Sequence, residues 1–207
     1  EDPRQARGIV KRGITRVVTP GTVLDEESLD ARLSNYVAAV WPGAGRERWG
    51  LAFLDLGSGA FLCTTASDEA NALAELGRRA PRELLLPGGC TPGDARFRRE
   101  GRRVEVRGDG TQWESGHLEG LQNADVLEPG AARAAAALFA YVKGLNPGMV
   151  AHVRAVSPYA LDEHLLMDEV TVSHLELVRT NKELRRQGSL LGVVDGSVTV
   201  MGSRRVA

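Results

Sequence analysis

Much of what this sequence leaves out is informative. Only two cysteines occur in 207 residues, Cys63 and Cys90, with no Cys-x-x-Cys and no histidine at zinc spacing, so neither a disulfide framework nor a structural zinc site is encoded. Two free, buried thiols suit a reducing compartment. Charge of one sign is also lacking: 26 Lys+Arg stand against 27 Asp+Glu, a net charge of −1, which excludes a uniformly basic DNA coat and names no partner. Uninterrupted apolar runs, such as 134–142 and 84–86, fall far short of the roughly 20 residues that span a bilayer, so no membrane span is expected. No Gly-x-x-x-x-Gly-Lys-Ser/Thr occurs, and without that phosphate cradle the chain should not hydrolyse ATP. Gly43, Gly45 and Gly50 have the wrong spacing for a dinucleotide loop, and Gly57-Ser58-Gly59 is not a nucleophile elbow. The chain opens Glu1-Asp2-Pro3 without an initiator Met or a charged-then-apolar leader, and reads as a piece of a longer protein.

What is present is ordinary for a packed α/β domain: 43% apolar and 26% charged residues. Thr19-Pro20-Gly21-Thr22 presets a type II turn. From Asp25 the spacing of Leu29, Leu33, Tyr36, Val37, Val40 and Trp41 predicts an amphipathic helix stopped at Pro42-Gly43. Residues 49–65 read as a β-hairpin around Gly57-Ser58-Gly59. Ser67 can cap a helix that ends at Arg79 before Pro81, and a short buried strand follows over 83–86. A loop-rich, arginine-rich stretch over 87–116 contains one alternating strand at 103–107. Residues 131–143 form a strong helix whose packing face is Leu138, Tyr141 and Val142. The order argues an α/β fold with a mixed sheet and flanking helices. From near Tyr159, Leu165, Leu166, Val170, Leu175, Leu177 and Val178, then Leu190, Leu191, Val193 and Val194, suggest the beginning of an all-α region.

Asp55 is the sharpest candidate for chemistry. The strand end Leu54-Asp55-Leu56-Gly57-Ser58-Gly59 resembles the first strand of ribonuclease H-like nucleases, where an aspartate holds Mg²⁺, and the first phosphate loop of actin-like sugar kinases. Two-metal chemistry needs further converging carboxylates, and Asp94, Asp109 and Asp125 all fall in loops. The alternative is a turn-capping aspartate. His117, His152, His164 and His174 lack i, i+4 partners and read as solvent-facing or locally bonded. His117-Leu118-Glu119 and His174-Leu175-Glu176 echo half of a zinc deaminase signature whose Pro-Cys-x-x-Cys is missing, and Arg107-Gly108-Asp109 reads as a turn. Between Arg78 and Arg107, nine arginines face four acids. Arg96, Arg98, Arg99, Arg102 and Arg103 are therefore candidate nucleic-acid contacts, with the competing reading of a solvated loop, because only Phe97 and Trp113 are near enough in sequence to stack on bases.

Three stretches together resemble the MutS family of DNA mismatch repair proteins. They are the passage from Arg16-Val17-Val18-Thr19-Pro20-Gly21-Thr22 to Glu26; the hairpin Gly50-Leu51-Ala52-Phe53-Leu54-Asp55-Leu56-Gly57-Ser58-Gly59-Ala60-Phe61; and Met167-Asp168-Glu169-Val170-Thr171-Val172-Ser173-His174-Leu175-Glu176-Leu177 with Gly188-Ser189-Leu190-Leu191-Gly192-Val193-Val194-Asp195 and Thr199-Val200-Met201-Gly202-Ser203-Arg204. The resemblance implies the tail of a mismatch-recognition domain over 1–20, a linker over 21–33, a ribonuclease H-like connector domain over 34–157 and the start of a helical core or lever domain over 158–207. It implies a cytoplasmic, homodimeric full-length protein that binds mismatched double-stranded DNA, uses ATP and Mg²⁺ and docks MutL. The family's Phe-x-Glu reader and Walker motif lie outside these residues, so this chain is expected to hold no catalytic residue, cofactor or metal and to relay between the two. Asp55 is then structural. Alternatives are a Mg²⁺-dependent ribonuclease H-like nuclease using Asp55 or a stand-alone basic nucleic-acid-binding module. His174 stands where the family usually has Asn, and residues 91–127 match weakly. Apolar surface is expected to stay uncovered beyond Tyr159.

Overall fold

Tyr36-Val37-Ala38-Ala39-Val40-Trp41 is a continuous apolar run, and in the computed structural model it forms strand β1 (Tyr36–Trp41), not the end of a helix. The structure describes residues 19, 21–22, 34–43, 47–90, 97, 103–107, 113, 115–161, 167, 169–199 and 202, so the rest of the helix expected over 25–33 lies outside the described residues. The physical reason for the strand is burial on both sides. Val37 and Ala39 pack into one apolar cluster and Ala38 and Val40 into another, a two-residue alternation that a helix cannot supply.

β1 sits between two neighbours. The expected hairpin is present as β2 (Trp49–Asp55) and β3 (Ala60–Ala66), antiparallel to each other. β2 runs antiparallel to β1, with Tyr36 opposite Asp55 and Trp41 opposite Gly50. On its other side β1 pairs in parallel with β4 (Glu83–Pro87), which pairs in parallel with β5 (Arg103–Arg107). A two-residue strand β6 (Ser157–Pro158) joins β3 in parallel, giving a six-stranded mixed sheet in the order β5-β4-β1-β2-β3-β6.

Helices cover both faces. α1 (Glu69–Arg79) is capped by Asp68, one residue beyond the expected Ser67: the Asp68 carboxylate accepts from the Asn71 backbone N–H at 2.9 Å, which holds its carboxyl below the usual carboxylate range. Ala80 closes the helix in the left-handed region (φ 46°), its N–H donating to Leu76, and Pro81 prevents continuation. α1 packs Ala72 and Leu76 with Ala38, Val40, Leu51 and Phe53. On the opposite face lies α2 (Pro129–Leu145), of which Ala131 and Ala134 to Ala137, together with Leu138, Tyr141 and Val142, are buried against Val37, Ala52 and Leu54. Small residues let backbones meet: a Cβ at Gly50 would lie 2.0 Å from the Gly130 carbonyl carbon.

Beyond β6 the expected long helical faces are not continuous. The described residues contain two short helices, α3 (Glu169–His174) and α4 (Leu190–Val194), separated by turns in which Glu176 and Leu184 adopt positive φ. Leu165 and Leu166 lie outside the described residues. No helix among the described residues is long and apolar enough to cross a membrane.

Candidate functional site

Among the described residues two glutamates are buried, and each binds a segment that lies outside strands β1 to β5 and the helices between them. Glu83, the first residue of β4, is fully buried opposite Val37. It heads the run Leu84-Leu85-Leu86, all fully buried, in a parallel strand covered on both faces. A carboxylate so placed needs donors. Two come from the turn formed by Thr19, Gly21 and Thr22, closed by Thr22 N–H to the Thr19 carbonyl at 2.9 Å. Thr19 Oγ1 donates to Glu83 Oε2, and Gly21 N–H donates to the same oxygen at 3.3 Å. Tyr141 of α2 donates its hydroxyl to Oε1 at 2.6 Å. Glycine is required at 21: a Cβ there would meet Val37 Cγ2 at 2.5 Å and Glu83 Cβ at 3.0 Å. Asn35 Nδ2 also donates to the Gly21 carbonyl at 3.4 Å.

Glu75, in α1, grips the chain on the other side of the sheet. Its side chain is 1% exposed and faces Arg78 and Arg79, which the helix places three and four residues on. Arg78 binds it bidentately, Nε to Oε2 at 2.7 Å and Nη2 to Oε1 at 2.6 Å, and Arg79 Nε donates to Oε1 at 3.0 Å. The fourth donor is the Tyr159 hydroxyl, from the segment that follows β6. Arg79 lies over the rings of both Tyr159 and Tyr36, 5.1 and 5.8 Å from their centroids. Tyr159 is fixed at its backbone too: its N–H donates to Cys63 O at 3.0 Å and its carbonyl accepts from Thr64 Oγ1 at 2.6 Å. Burial, reinforced by the Glu75 charge, pushes the Tyr159 hydroxyl well above the usual phenol range. Burial alone would lower Arg79, but Tyr159, Glu75 and Tyr36 reverse it, and the guanidinium is held above its ordinary value.

The residues singled out from sequence fare differently. Asp55 ends β2, buried, its Oδ1 accepting from Gly57 N–H at 2.9 Å while its carbonyl accepts from Gly59 N–H at 2.8 Å. This is turn-capping geometry, with Gly59 at φ 74°. Among the described residues no three His, Cys, Asp or Glu side chains converge as a metal site. Asp125 lies in a single 3₁₀ turn (Ala124–Val126), and Asp94 and Asp109 lie outside the described residues. Arg96, Arg98, Arg99 and Arg102 also lie outside them, and Arg103 is described only as the backbone that opens β5. Arg78 and Arg79, counted in the same basic stretch, turn to Glu75. His117, His152 and His174 are exposed, and His164 lies outside the described residues. Cys63 is buried and its thiol is pushed up by burial; Cys90 is partly exposed. Nothing in the sequence assigns a polar role to Glu75, Glu83, Tyr141 or Tyr159 directly. The available signals were a glutamate heading the apolar run Glu83-Leu84-Leu85-Leu86 and the Arg78-Arg79 pair one turn after Glu75.

Fold and site together define a mixed-sheet α/β domain whose buried carboxylates bind Thr19 and Gly21 ahead of the sheet and Tyr159 after β6. Residues 35–154 match the family model described as MutS domain II. Over its whole length the chain is 37% identical to a DNA mismatch repair protein MutS of Methanothrix thermoacetophila, covering 23% of that protein. It is 40% identical over 220 residues to a DNA mismatch repair protein MutS of an Anaeromyxobacter species, and 37% identical over 227 residues to that of Myxococcus xanthus, covering all of this chain and 24% and 25% of those proteins. The chain spans about a quarter of the length of these curated relatives. It belongs to the MutS family of DNA mismatch repair proteins, and residues 35–154 are its domain II.

Proposed function

We propose that this chain is the connector segment of a MutS-type protein, without catalysis of its own. It relays between the mismatch-recognition and ATPase parts of a longer, homodimeric, cytoplasmic protein and docks MutL. The observation that carries the reading is the pair of grips: a relay must hold the chain on its way in and on its way out, and Glu83 and Glu75 do so at Thr19 to Gly21 and at Tyr159. The strand order β3-β2-β1-β4-β5, three strands antiparallel and the last two parallel to β1, supports a ribonuclease H-like connector. The same reading divides the chain into a recognition-domain tail (1–20), a linker (21–33), the connector (34–157) and the start of the all-α core (158–207). The capped geometry of Asp55 supports a structural rather than metal-binding aspartate. ATP, Mg²⁺ and mismatched double-stranded DNA belong, in this reading, to the longer protein, with Arg96, Arg98, Arg99, Arg102 and Arg103 as the residues through which this chain would meet phosphates.

The test is an anisotropy titration of the chain against matched and G·T-mismatched duplexes at two salt concentrations with Mg²⁺, the products run on a gel, and a parallel capture assay with MutL. Capture of MutL without mismatch preference or cleavage is expected. Mg²⁺-dependent cleavage abolished by Asp55→Asn, or mismatch preference by the chain itself, overturns the reading.

A further inference from the structure

The two grips are not independent features of the fold. Glu83 faces α2, since its partners Tyr141 and Val37 belong to the cluster on that side of the sheet. Glu75 faces the other side, where Ala72, Leu76 and Tyr159 pack. The chain therefore enters on one face and leaves on the other. Asn35 and Tyr36, adjacent at the start of β1, touch both ends. Asn35 donates to the carbonyl of Gly21, which is itself bound to Glu83. The Tyr36 ring lies under Arg79, whose guanidinium covers Tyr159 and binds Glu75. The Tyr36 carbonyl accepts from Arg82 N–H at 3.0 Å, and Arg82 is the residue before Glu83. Successive bonded or stacked groups thus run from the entering turn to the leaving segment without a gap.

We propose that these contacts make one latch, in which the grip on Thr19 to Gly21 and the grip on Tyr159 tighten or loosen together through Asn35, Tyr36 and Arg79. Losing a donor at one carboxylate lets its element shift, and the shift reaches the other carboxylate because Tyr36 is held by its ring on one side and its carbonyl on the other. The buried carboxylates give the latch its two-state character, since each is stable only with its donors in place. Coupling of this kind is a free energy shared by two sites, and it is reciprocal. The assignment of the two crossings as interdomain linkers rests on the connector reading; the coupling itself does not.

Two amides report on the crossings: Thr22 N–H, bonded to the Thr19 carbonyl, and Tyr159 N–H, bonded to the Cys63 carbonyl. Hydrogen exchange is measured on the whole 207-residue chain and on Thr19→Val and Tyr159→Phe, with the β2–β3 amides as the internal standard for global folding. Expected is a rise of roughly fivefold at Tyr159 N–H in Thr19→Val and at Thr22 N–H in Tyr159→Phe, the standard amides unchanged. In Tyr36→Leu combined with either variant the cross effect should disappear. Acceleration confined to the altered crossing overturns the latch. If Thr19→Val also accelerates the standard amides, the Tyr159→Phe arm alone decides. Cross effects in a chain that captures no MutL would leave the latch standing and remove the docking reading; capture without cross effects would do the reverse.

Discussion

Residues 169–199 are denser in leucine and valine than residues 36–158, 11 of 31 against 23 of 123, but the two regions keep them in opposite places. In residues 36–158, Val37, Val40, Leu51 and Leu54 are fully buried between the sheet and its helices. In the second region, 169–199, Val170, Leu175, Leu190, Val193, Val194 and Val198 are exposed, and Leu191 is the one residue of that kind that is buried. Directional polar contacts hold the second region instead. Ser189 Oγ caps α4 by accepting from Gly192 N–H at 3.1 Å and lies within bonding reach of the Val178 and Arg186 carbonyls. Asn181 N–H donates to Glu176 Oε1 at 2.6 Å, and Arg186 pairs with Asp195. A hydrogen bond contributes about 1 kcal/mol net, whereas a buried leucine contributes about 1.5–3 kcal/mol by area alone. The contrast teaches that regular turns and caps can fix a shape without fixing its stability. The second region should therefore open at lower free energy than the sheet.

The sharpest way to break that contrast is by truncation. Leu54→Ala removes a fully buried side chain between β2 and α2 and should cost about 2–5 kcal/mol in chemical denaturation, while Val193→Ala should stay within about 0.5 kcal/mol. Equal losses would show that the second region has a core after all. Next in size is Tyr141→Phe, which withdraws a donor from the buried Glu83 carboxylate and should cost about 1.5–3 kcal/mol. Ser189→Ala, by contrast, should speed amide exchange across α4 and leave the unfolding midpoint of the sheet in place.

A smaller effect comes from pH. The Tyr159 proton is held more tightly in the folded chain than in the unfolded one, so its contribution is complete below the ordinary phenol value of about 10 and declines as pH rises past it. Tyr159→Phe should flatten the fall in stability above that pH relative to the parent, measured by denaturant titration at stepped pH. The buried Cys63 thiol adds a decline of the same sign in both proteins, so only their difference is diagnostic. The gentlest test is labelling with a thiol reagent. Cys90 should react in the native chain, and Cys63 only as fast as the sheet unfolds.

The parts legible in sequence are those written in local chemistry. Gly57-Ser58-Gly59 announced the hairpin, the alanine-rich stretch announced α2, and Pro81 announced the end of α1. β1 was misread as helix because Tyr36, Val37, Val40 and Trp41 satisfy a helical spacing as well as a strand buried on both faces, and periodicity cannot separate the two in so short a run. The two grips were illegible for a different reason. Thr19 and Glu83 are 64 residues apart, and Glu75 and Tyr159 are 84 apart, so nothing local marks them as partners. Asp55 was legible in both its readings, and its bond to Gly57 N–H accords with the turn-capping one.

The meeting of Gly50 and Gly130 sets a datum for the whole domain. Because α2 touches β2 there backbone to backbone, with a Cβ at Gly130 only 2.9 Å from the Arg48 carbonyl oxygen, the helix is indexed to the sheet at a point that side-chain variation cannot move. Tyr141, eleven residues further along the same helix, is thereby delivered to Glu83 at a height set by that contact.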